Sequence, residues 1–131
     1  MARNKADWAD IPPGHDSPLN YAILSRDRDT IKMVEDALED GRVMLAYQAV
    51  LPSRNTDNPA FYEGLIRILD KNKRILPAKS FINAVESTEV GRKIDCMALK
   101  RGLLAMQKHP DLRLSVNMSA RSIGYGRWNH I

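Results

Sequence analysis

Apolar residues recur at Ile31, Val34, Ala37 and Leu38, a spacing of three and four that gathers them on one helical face. Ser25 or Asp29 can cap this stretch and Gly41 can stop it, so the pattern predicts a helix over residues 25–40. The period then changes. Residues 42–51 (RVMLAYQAVL) are apolar at almost every position except Gln48, which predicts a strand covered on both faces. Residues 61–69 (FYEGLIRIL) repeat that pattern, with Glu63 and Arg67 as interruptions. The polar link between the two runs, residues 52–60, is shorter than the dozen or more residues that a helical crossover needs. The two strands are therefore expected to pair antiparallel.

A charged turn follows at residues 70–74 (DKNKR), and Pro77 opens a short helix with Phe81, Ile82 and Val85 on its apolar face. A longer helix is expected over residues 90–109. Its stripe is Ile94, Met97, Ala98, Leu104 and Ala105, and Pro110 ends it. Residues 112–118 alternate: Leu112, Leu114, Val116 and Met118 on one face, Arg113, Ser115 and Asn117 on the other. Residues 119–131 hold two glycines and Trp128 and read as the start of another helix. Residues 1–24, with Pro12, Pro13, Gly14 and Pro18, read as a flexible arm, which leaves residues 25–131 as the folded part. The order helix, strand, strand, helix, helix, strand is α/β construction. Its last link is a right-handed crossover by default, and its sheet has exposed edges.

Composition narrows the picture only modestly. With 44% apolar and 27% charged residues, the chain is an ordinary globular sequence. No apolar run reaches the roughly 20 residues of a membrane span, and the N-terminus lacks a signal-type apolar segment. The net charge of +4 is partly interleaved, as in Arg26-Asp27-Arg28-Asp29, and does not argue for nucleic acid. A single cysteine, Cys96, excludes an intrachain disulfide, reads as a small core residue and makes the cytoplasm the default location. His15, His109 and His130 follow no metal-ligand spacing, and no glycine-rich phosphate loop is present.

Three polar residues stand out among apolar neighbours: Gln48, Glu63 and Asn117. Alternation puts Glu63, Leu65 and Arg67 on one strand face. A carboxylate in such a strand is costly unless paired or bound to a metal. One reading is an ion pair of Glu63 with Arg67 or Arg113. The other is a set of oxygen ligands, Glu63 and Asn117, converging on magnesium or manganese, with Arg67 on a phosphate. The spacing alone leaves both open.

Taken together, Ala46-Tyr47-Gln48-Ala49-Val50, Tyr62-Glu63-Gly64-Leu65-Ile66-Arg67, Leu76-Pro77 through Phe81-Ile82 to Glu86, Ile94-Asp95 and Ser115 to Arg121 (SVNMSAR) resemble successive motifs of EAL domains, in the family's order. The resemblance spans residues 30–131. It implies the first three strands, with their helices, of an incomplete TIM-like (β/α)8 barrel whose first strand is antiparallel. It implies hydrolysis of cyclic di-GMP to the linear dinucleotide with two divalent cations, Mg or Mn. By the same resemblance Glu63 and Asn117 are metal ligands, and Gln48, Leu65 and Arg67 are substrate-binding positions. Two departures are local: Gly64 stands where the signature has alanine, and Ala49 where proline is usual. A third is larger. A complete barrel runs to about 250 residues, and the family's later glutamates, paired aspartates and lysine fall past residue 131. These 131 residues alone are thus expected to be inactive as a phosphodiesterase. The alternatives are a half-domain that binds cyclic di-GMP or another protein, with self-association through the open barrel side, and an unrelated basic nucleotide- or nucleic-acid-binding domain.

Overall fold

A computed structural model of the protein describes residues 17–131. Helix α1 spans Pro18–Glu39. It starts seven residues before the expected point because Ser17, not Ser25, is the cap. The Ser17 hydroxyl accepts the Asn20 N–H at 3.1 Å, and Pro18 occupies the first helical position, where its missing N–H costs nothing. The expected arm over residues 1–24 is therefore helical from residue 18 onward, and residues 1–16 lie outside the described part. The helix stops as the sequence predicts. Gly41 takes φ +70°, Arg42 N–H bonds to Ala37 C=O, and Gly41 N–H bonds to Leu38 C=O. This pair of bonds satisfies carbonyls that the helix end would otherwise orphan.

Strands β1 (Val43–Val50) and β2 (Phe61–Leu69) pair antiparallel along their whole length, from Val43 opposite Ile68 to Val50 opposite Phe61. The short polar link thus does what its length dictates. The far edge of β2 is shared by two short strands. β3 (Ile75–Leu76) runs antiparallel to Ile68 and Leu69, and β4 (Leu114–Val116) runs parallel to Tyr62, Glu63 and Gly64. The parallel pairing makes β2 to β4 a crossover unit, as expected. β3 was not foreseen, since two apolar residues beside a proline carry no periodicity. The turn before it is built on Asp70, whose side chain accepts the N–H groups of Asn72 and Arg74.

Between β3 and β4 lie a 3-10 turn (Ala78–Ser80), the one-turn helix α2 (Ile82–Val85) and the long helix α3 (Glu89–Lys108). A second 3-10 turn (Ala120–Ser122) and a short helix α4 (Gly126–Asn129) close the chain. The core gathers Val34 and Ala37 of α1, Ile68 of β2, Phe81 and Val85 at α2, and Val90 and Ile94 of α3. Of the stripes read from sequence, Ile94 and Ala98 are buried, whereas Ile82 and Leu104 are exposed.

The sheet departs from expectation in one respect that matters for function. Among the described residues, only one of its faces is covered by helices. Val43, Leu45 and Ile68 are buried on the helix side, but Met44 is 39% exposed on the other. The apolar run of β1 suggested cover on both sides, and the described residues provide helices for one.

Candidate functional site

The uncovered sheet face carries all five residues that the sequence singled out. Residues opposite each other in neighbouring strands point to the same side. Gln48 of β1 is opposite Glu63 of β2, and Glu63 is opposite Ser115 of β4, so one row crosses three strands. Along β2 the same face continues through Leu65 and Arg67, which lie opposite Ala46 and Met44. Asn117 follows the last residue of β4, two positions beyond Ser115 and on its side of the strand. Its side-chain Nδ2 donates to Glu63 Oε1 at 2.9 Å.

That contact gives Glu63 an amide partner where one of the two readings offered an arginine. Among the described residues Glu63 makes no ion pair. Arg67 donates instead to the Ile66 carbonyl at 3.1 Å. The ion pair with Arg67 or Arg113 that one of the two readings offered is not formed; Glu63 has an amide partner, and the strand carries Arg67 along the face to a point four residues on.

The donor chemistry of the pair suits a hard cation. A carboxylate and an amide oxygen are what magnesium and manganese take. The set is small, since among the described residues no three His, Cys, Asp or Glu side chains come together as a metal-holding group. Glu63 and Asn117 offer two oxygen donors on the open face.

The loop that carries Asn117 is tied to α3. Asp95, in the second turn of that helix, accepts the Ser119 N–H at 3.0 Å and the Ser122 hydroxyl at 2.5 Å, both on Oδ2. Arg92 lies 3.8 Å from the same oxygen and donates to the Glu86 carbonyl at 3.0 Å. Ser122 is fully buried. The sequence pointed to Asp95 only as part of a motif and gave it no task, since its partners lie 24 and 27 residues downstream. Cys96, the next residue, is buried, and that burial pushes its thiol pKa up.

With this geometry in hand, comparison with protein families is decisive. The model of the EAL domain matches residues 31–128. The chain belongs to the EAL domain family. Its fold agrees with EAL domains of known structure. The FimX EAL domain from Pseudomonas aeruginosa, solved bound to c-di-GMP, superposes with a TM-score of 0.64 at 26% identity, over 73% of this chain and 39% of that one. The Vibrio cholerae LapD S helix-GGDEF-EAL structure matches with a TM-score of 0.65 at 20% identity, over 79% and 25% of the two chains. The cGMP-bound EAL enzyme Bd1971 matches with a TM-score of 0.58 at 18% identity, over 86% and 34%. The chain therefore spans well under half the length of these EAL structures. A comparison with curated proteins finds no match.

The fold is thus part of the TIM-like EAL architecture: a mixed sheet with an antiparallel first strand, not closed into a barrel. Gly64, the family's alanine position, faces the helix side. A Cβ built there would sit 3.1 Å from Leu45 Cδ2 and 3.4 Å from Leu114 Cδ1, a tight fit against two leucine tips. The glycine leaves Glu63 and Leu65 on the open face unchanged.

Proposed function

We propose that this chain supplies the first wall of a cyclic di-GMP site and that the reaction of the completed domain is hydrolysis of one phosphodiester bond to give the linear dinucleotide. The observation that carries this reading is the 2.9 Å contact between Asn117 and Glu63, with Gln48 opposite Glu63 across the strand pair, on an open sheet face. In support, a family relative has been solved with c-di-GMP bound. Glu63 and Asn117 would hold magnesium or manganese. A bound ion of this kind supplies a water of lowered pKa and stabilises the attacking and leaving oxygens. Arg67, two residues past Leu65 on the same face, offers a guanidinium fork for a phosphate. Gln48 offers an amide to the nucleotide, and Leu65 an apolar surface between ligand and phosphate contact.

Two oxygen donors do not complete a two-metal centre, so the 131-residue polypeptide binds but does not turn over. Calorimetry with cyclic di-GMP, with and without Mn²⁺, tests the site. Metal-enhanced binding by the wild type and its loss in Glu63→Ala are expected. No heat from the wild type, or equal heats from both proteins, overturns the reading. Release of linear product by these residues alone would contradict the division between binding and turnover.

A second reading, a binding or interaction half-domain that associates with a second copy, is favoured by the same open face and by the free edge of β1. Cyclic di-GMP binding fits both readings. They part on whether hydrolysis appears when the remaining length of an EAL domain is supplied in the same chain.

A further inference from the structure

We propose that Asp95 is a positioning residue for Asn117, and that its carboxylate, reaching from α3 to the loop after β4, sets where the Asn117 amide stands beside Glu63. The inference rests on the reading that Asn117 faces the ligand.

Asn117 lies outside the strand ladder. β4 has three residues, and its last, Val116, is the last to pair with β2. Neither the ladder nor any helix fixes the next residue. Two residues further on, Ser119 donates its N–H to Asp95. Asn117 is therefore strung between two fixed points, Val116 on the sheet and Ser119 on the helix. Only the second of these is made by a side chain. Ser119 in turn accepts the Arg121 N–H through its hydroxyl, which shapes the 3-10 turn that brings Ser122 back to the same Asp95 oxygen. One oxygen thus holds both ends of the turn.

A simpler role for Asp95 would be to neutralise the buried Arg92. The distances favour the loop. Arg92 stands 3.8 Å away and spends its Nη2 on the Glu86 carbonyl, whereas Ser119 and Ser122 approach to 3.0 and 2.5 Å. Bonds from an N–H or O–H to a carboxylate are the short, strong kind, and supporting groups of this sort orient ligands that lie closer to a metal.

The two roles separate by substitution. Asp95→Asn keeps an oxygen that can accept from Ser119 and Ser122 but removes the charge that faces Arg92. Asp95→Ala removes both. Two measurements on the 131-residue protein decide: the hydrogen-exchange rate of the Ser119 amide and the side-chain amide resonances of Asn117, both by NMR. In Asp95→Ala we expect faster exchange at Ser119 and shifted Asn117 resonances, while β2 amides keep their protection. We expect Asp95→Asn to stay close to the wild type in both. Cyclic di-GMP affinity should fall about tenfold in Asp95→Ala, the low end of what loss of such support costs, and recover in Asp95→Asn. If Asp95→Ala does not fold, Ser122→Ala, which removes one of the two donors, must shift the Asn117 resonances. Unchanged Ser119 exchange and Asn117 resonances in Asp95→Ala overturn the proposal, as does an Asp95→Asn variant that behaves like Asp95→Ala. A wild type that does not bind cyclic di-GMP would sink the ligand reading alone, because the exchange and resonance measurements need no ligand.

Discussion

Glu63 is the residue on which the functional reading turns, and it contributes little to holding the fold. Among the described residues its side chain makes one hydrogen bond, to Asn117, on the open face of the sheet. Substitutions at such places change stability by about 0.5 kcal/mol or less. Glu63→Ala should therefore melt within that margin of the wild type while losing metal-dependent ligand binding. Ile68, five positions along the same strand and fully buried on the helix face, is the contrast. Ile68→Ala removes packed methylenes from the core and should cost about 2–5 kcal/mol by denaturant titration. Alternation along one strand thus separates the face proposed to bind ligand from the one that builds the core. The alternation was legible in the sequence, but the identity of Glu63's partner was not, because Asn117 lies 54 residues away. Cys96 gives a third test at this scale. Burial raises its thiol pKa, so the thiol stays protonated as pH rises past the value it has in the unfolded chain. Its share of stability is present below that unfolded value and is lost as pH climbs through the folded one. Alkylation of Cys96 at neutral pH should accordingly be slow in the native protein and fast in denaturant.

Among the elements, α3 bears most of the arrangement: it lends Val90 and Ile94 to the core, packs along β4 and holds the Asn117 loop through Asp95. Its start is set by close approach. A Cβ at Gly91 would fall 2.6 Å from the Val85 carbonyl oxygen, which is backbone and cannot swing aside. Gly91→Ala should push α2 away from α3 and destabilise by about 1–3 kcal/mol, the range for overpacking. The ends of α3 were readable to within a residue from Pro110 and the apolar stripe. The start of α1 was not: the apolar stripe pointed to Ser25 or Asp29 as the cap, whereas Ser17 caps the helix, with Pro18 beside it at the first helical position. Ser17→Ala should cost about 1 kcal/mol, visible as lost helicity by circular dichroism.

At the scale of the whole molecule, the described residues form a sheet with one covered face and unpaired edges, β1 on one side and β3 and β4 on the other. β1 has no charged residue and no proline from Val43 to Val50 to discourage pairing at that edge. Tyr47 and Leu104 are 48% and 55% exposed on the helix side, and Met44 and Met118 are exposed as well. Surface of this kind favours association, so light scattering at micromolar concentration should show a dimer or larger, and a monodisperse monomer would contradict it. Among the described residues no helix is long and apolar enough to cross a membrane. What the sequence determined by itself was local: the helical stripes, the alternation that puts Glu63, Leu65 and Arg67 on one face, and the antiparallel β1–β2 pair forced by a short polar link. These follow from the periods of helix and strand, which act over a few residues. Tertiary structure alone decided which sheet face is covered, that Glu63 pairs with Asn117 rather than with an arginine, and that Asp95 reaches the loop after β4. Those outcomes depend on residues that the chain brings together across dozens of positions, and no local period records such meetings.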